Sequence, residues 1–82
     1  MSLKSELKTF EGNLAQFSPT DRVRGDLADV FNAFLDEVKK THGDRPVVKA
    51  IQPIEKDTTG ASLASAGELK TLAGQLRAAM TD

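Results

Sequence analysis

Apolar residues recur at helical spacing in three separate blocks of this chain, and that pattern restricts its folds more than any other feature. Leu3, Leu7, Phe10, Leu14 and Phe17 follow at alternating intervals of four and three residues. At about 100° per residue they fall in a stripe about 80° wide, narrow enough to act as a seam. The spacing predicts a helix over 3–17, with Ser2 placed to cap it. Gly12 weakens that helix by about 1 kcal/mol relative to alanine, so it depends on packing for its stability.

The second block is broader. Val23, Leu27, Val30, Phe31, Phe34, Leu35 and Val38 span about 140° by the same count. Ser18-Pro19-Thr20-Asp21 precedes them and reads as a helix start, with a capping hydroxyl, a proline suited to the first turn and a carboxylate three residues on. Lys39 and Lys40 suit the negative end of the helix dipole, and Gly43 can take a left-handed cap. These signals predict a helix over 19–42. The short turn before it makes the first two helices antiparallel neighbours. The wider stripe, able to touch two grooves, puts the second helix at the centre.

Leu69, Leu72, Leu76 and Met80 form the third seam, again about 80° wide. Ser65-Ala66-Gly67-Glu68 is a capping box ahead of it, and Ala66 and Ala73 permit close approach of another helix. A helix over 66–80 is expected. Residues 44–61 are less regular. Pro46 and Pro53 bracket Val47, Val48 and Ile51, which suits one or two helical turns or a short edge strand equally. The favoured reading is an extended crossover, followed by a turn at Asp57-Thr58-Thr59-Gly60. The expected fold is therefore all-α, a small three-helix bundle forming one domain over 1–82. It comprises an antiparallel pair at 3–17 and 19–42, a Pro-punctuated crossover at 44–61 and a C-terminal helix at 66–80. The alternative is a small α+β arrangement with one strand near 47–52.

Composition narrows the chemistry. With 82 residues and no cysteine, the chain has neither disulfides nor thiolate metal ligands. Eleven Lys and Arg against 12 Asp and Glu leave a net charge of -1, spread so evenly that no segment carries a single-sign field. Charges at Lys4, Glu6, Lys8 and Glu11 replace the apolar core of a secretory signal, and no apolar run is long enough for a membrane span. A cytoplasmic protein is expected.

His42 is the sole histidine and sits at an expected helix end, where it reads as a capping cation and not as a catalytic base. No glycine-rich phosphate-binding string occurs. Asp26, Asp29, Asp36 and Glu37 gather carboxylates on the second helix, but the Glu-x-x-His pairs of metal-binding bundles are missing. Arg22 with Asp26, and Asp36 with Lys40, instead have the spacing of helical ion pairs. Gly60-Ala61-Ser62-Leu63 resembles the Gly-x-Ser-Leu string around the phosphopantetheine-bearing serine of carrier proteins. That resemblance implies a serine opening a helix with two more behind it, yet only 20 residues follow Ser62. The strong acidity of such domains is also missing, so Ser62 is expected as a helix cap or loop residue.

No enzymatic activity, cofactor, metal or small-molecule substrate is expected. The sequence points to a non-enzymatic protein–protein interaction module, either a homo-oligomer or a binder of another protein. Phe10, Phe17, Phe31 and Phe34 are expected in the core. The contact face is expected on Leu69, Leu72, Leu76 and Met80, or on Val47 and Ile51. A nucleic-acid-associated regulator using Arg22, Arg24, Lys70 and Arg77 is the less favoured alternative, since Asp21 and Asp26 offset the arginines.

Overall fold

The computed structural model describes residues 3–80. Its elements run α1 (Leu3–Leu14), β1 (Arg22–Arg24), α2 (Gly25–His42), α3 (Pro46–Ala50), β2 (Ala61–Ser65) and α4 (Ala66–Ala79). The expected all-α three-helix bundle is thus incorrect: the fold mixes four helices with a two-stranded antiparallel sheet. The strand expected near 47–52 in the alternative is also absent, because Pro46 opens a short helix there. Ser2, expected to cap α1, lies outside the described residues.

The main departure is at residues 18–24. The capping signal at Ser18 starts no helix: Asp21 Oδ2 accepts from the Ser18 amide at 2.9 Å, and the Asp21 amide donates to the Ser18 carbonyl at 3.0 Å. These bonds close a turn, and no helix follows directly. The carbonyls of Pro19 and Asp21 are instead taken by the amides of Gly67 and Ala66, both at 2.9 Å. Those amides are orphan donors in the first turn of α4, so the loop before β1 completes the cap that Ser65 begins. Ser65 Oγ accepts from the Glu68 amide at 3.3 Å, as the capping-box reading requires. Gly67 makes this approach possible, since a Cβ there would stand 2.8 Å from the Pro19 carbonyl oxygen. The chain then pairs Arg22 with Ser65 and Arg24 with Ala61, across an irregular step. Val23 turns inward to the core while both arginines face solvent.

Helix α2 consequently starts at Gly25, not at residue 19. Its backbone meets the turn before β2, where Gly60 has φ +86° and a Cβ on Gly25 would collide with the Gly60 carbonyl. At its other end Gly43 has φ -66°, so the left-handed cap is not used. The first helix stops at Leu14, and residues 15–17 turn away from it.

Helix α1 packs along α4 and not antiparallel on α2 as expected. The reason lies in the seams. Leu7 and Leu14 present a narrow ridge, and α4 answers with Leu69, Ala73 and Leu76, whose alanine lets the backbones approach. Arg77 clamps the pair by donating from Nε and Nη2 to the two carboxylate oxygens of Glu11, at 2.6 and 3.2 Å. Helix α2 meets α1 through aromatic rings: Phe10 lies 6.5 Å from Phe31 and 5.6 Å from Phe34 between ring centres. Its deeper face, with Phe31, Leu35 and Val38, closes the core against α3, α4 and β2.

Val48 and Ile51 bury the crossover, which continues in extended form past Pro53. Asn32 holds it: Nδ2 donates to the Ile54 carbonyl at 2.9 Å, and Oδ1 accepts from the Ile54 amide at 2.7 Å. Beyond this clamp the chain runs beside β2, with the Leu63 amide donating to the Glu55 carbonyl and Lys56 bridging to Ser62. Strand β2 is therefore flanked on both edges.

Candidate functional site

The apolar residues expected to contact a partner divide sharply. Leu69 and Leu76 on α4 are fully buried, and Ile51 is buried within the crossover. The core of the chain itself absorbs them. Leu72 and Met80 are half-buried against that core, and Val47 on α3 is exposed. Among the aromatics, Phe10 and Phe31 are buried and Phe34 half-buried, whereas Phe17 is exposed beyond the end of α1.

The basic residues of the nucleic-acid alternative are mostly engaged. Arg22 bonds Asp57 at 2.6 Å, Arg24 lies 3.6 Å from Asp26, and Arg77 holds Glu11. Lys70 is exposed on α4. Arg77 sits about 16 Å along α4 from the end of that helix that meets β1, the strand carrying Arg22 and Arg24, so the four do not make one stripe. The expected helical pairs are also replaced. Arg22 lies in a strand and reaches Asp57 instead of Asp26, and Lys40 pairs with Glu37 at 3.2 Å instead of Asp36. Asp29 pairs with Lys56 from the crossover, again at 3.2 Å.

Two apolar surfaces stand open among the described residues. The first is a groove of about 290 Å³ between α1 and α2, floored by Phe10 and Phe34 and walled by Glu6, Thr9, Asn13 and Val30. It runs on past Asn13 toward Phe17, Leu27, Arg24 and Asp26. The edge-on contact of Phe10 with Phe34 fills its floor from within, and its charges are of mixed sign.

The second surface lies on the other side of the crossover. A cleft of about 530 Å³ is lined by Gln52, Pro53, Ile54, Glu55, Leu63, Ala64 and Glu68. Across Glu68 it adjoins a shallower cleft with Pro19, Gly67, Thr71 and Leu72. Leu63 projects from β2 with 53% of its surface exposed, more than any other large apolar residue described. Strand alternation explains why. Ser62 and Ala64 turn inward, so Leu63 must turn out. Ser62 is fully buried, its hydroxyl donating to the Ala64 carbonyl at 2.9 Å and accepting from the Ala64 amide at 3.1 Å. It neither caps a helix nor stands exposed in a loop. The helical periodicity that singled out α4 was blind to this strand. The available signal was Leu63 itself, the one large apolar side chain between Glu55 and Glu68.

His42 ends α2 with Nδ1 2.8 Å from the Thr41 hydroxyl, and neither residue lines any of these clefts. Among the described residues no three histidine, cysteine, aspartate or glutamate side chains gather as metal ligands, and no helix is long and apolar enough to cross a membrane. No protein-family model matches the chain, and no curated protein and no solved structure is significantly similar to it.

Proposed function

We propose that this protein is a non-enzymatic protein-interaction module, and that its contact surface is the face formed by the crossover, β2 and the first turns of α4. The observation that carries this reading is Leu63. A large aliphatic side chain held out from a strand with both edges flanked is a rigid anchor. Pro53 and Ile54 beside it extend the apolar area without disturbing the core. Gln52, Glu55 and Glu68 give it a polar rim, the setting in which apolar surface serves as a contact site.

A photo-crosslinking side chain at position 63 tests the reading in the cells that produce the chain. A discrete protein adduct is expected there. The same group at the exposed Ala78 of α4 should not give that adduct. Equal adducts at both positions, or none at either, would overturn the assignment.

A further inference from the structure

The cleft at β2 differs from the α1–α2 groove in the sign of its charges. Its only charged walls are Glu55 and Glu68, and neither carboxylate forms an ion pair among the described residues. Two cations of the neighbouring segments are committed elsewhere: Lys56 reaches Asp29 and Arg22 reaches Asp57. An aliphatic anchor is thus flanked by two carboxylates without an ion-pair partner among the described residues, Glu68 lying in the first turn of α4 where the helix dipole favours it. We propose that this cleft binds a basic, aliphatic segment of a different protein, with an apolar side chain against Leu63 and Ile54 and lysine or arginine facing Glu55 and Glu68. The proposal rests on the interaction reading above and names the partner's chemistry.

Charge selects this occupant over others. A second copy docked about a two-fold axis would set the same patch against itself. Glu55 and Glu68 would then confront their own counterparts, and like charges brought together across an interface cost affinity. Nucleic acid and anionic lipid are repelled by the same pair. A cationic segment gains from both carboxylates, which also raise its rate of encounter.

The full-length chain, immobilised, is panned against a random peptide library. Enriched peptides are expected to carry net positive charge and at least one leucine, isoleucine, valine or methionine. Glu55→Lys with Glu68→Lys should weaken them about tenfold, and Leu63→Ser should weaken them comparably, with circular dichroism confirming that each variant is folded. Glu55→Gln with Glu68→Gln serves as the milder control and should flatten the salt dependence of binding. Enrichment of acidic or uncharged peptides, or of peptides indifferent to the Glu55 and Glu68 variants, overturns the proposal but leaves the interaction reading intact. A dimer seen by light scattering and abolished by Leu63→Ser would give the cleft to a second copy and likewise overturn it. No enrichment overturns the proposal by itself, and with no crosslink at position 63 the interaction reading fails too.

Discussion

Asp57 accepts three hydrogen bonds at Oδ1, from the Thr59 amide, the Thr59 hydroxyl and the Ala61 amide, at 2.6–3.0 Å, while Oδ2 meets Arg22 at 2.6 Å. The Thr59 hydroxyl foremost, then the two amides and the Arg22 guanidinium, hold its pKa below the usual carboxylate value despite partial loss of hydration. A depressed carboxylate stabilises the fold fully above its unfolded pKa and loses that contribution as pH falls through the folded value. Asp57→Asn should therefore lower the urea midpoint at pH 7, and the gap from wild type should narrow below about pH 4. A gap of unchanged size at pH 3 would show that the charge is not what matters. Asn32 acts without charge. Its amide imitates a strand partner for Ile54, so Asn32→Ala removes two bonds from a part-buried peptide group. A loss of about 1–3 kcal/mol is expected in chemical denaturation.

Among the elements, α4 shows how a capping signal and a close contact compete. By helix propensity alone, Gly67→Ala should stabilise α4 by up to about 1 kcal/mol. The added Cβ, however, meets the Pro19 carbonyl at 2.8 Å and disturbs the bonds that carry the loop into β1. Net destabilisation is expected, read as a lower thermal midpoint, and a rise would mean that the loop can move aside at little cost. The ends of the elements were unequally legible. Ser65 announced the start of α4 because its cap is made within one turn of the chain. Ser18 and Asp21 gave the same signal, but their bond runs from the Ser18 amide to the Asp21 carboxylate, and the helix begins at Gly25. What displaced it is the strand partner: β1 pairs with residues about forty positions away, and no local pattern in Arg22-Val23-Arg24 reports that.

For the whole molecule, burial separates residues that the sequence placed together. Leu76→Asp should unfold the chain, since it puts a charge between α1 and α4 where no partner exists. Leu72→Asp, on a half-buried site of the same helix, should cost less. Leu63→Ser should change stability by no more than about 0.5 kcal/mol. Urea denaturation of the three variants gives the order directly, and a severe loss at Leu63 would make it a core residue and not a contact. The sequence by itself determined most of the three apolar seams, though not the places of Phe17, Val23 and Val30, together with the body of α2, the extent of α4 and the break that Pro53 imposes on the crossover. Each of these follows from interactions among residues within a turn or two of one another. Only the tertiary structure decided that α1 lies on α4, that Arg22–Arg24 and Ala61–Ser65 are strands, and that Leu63 faces out. Those outcomes depend on pairing distant segments. There the energy comes from the partner's backbone and from which seam fits which groove, and neither is encoded in local periodicity.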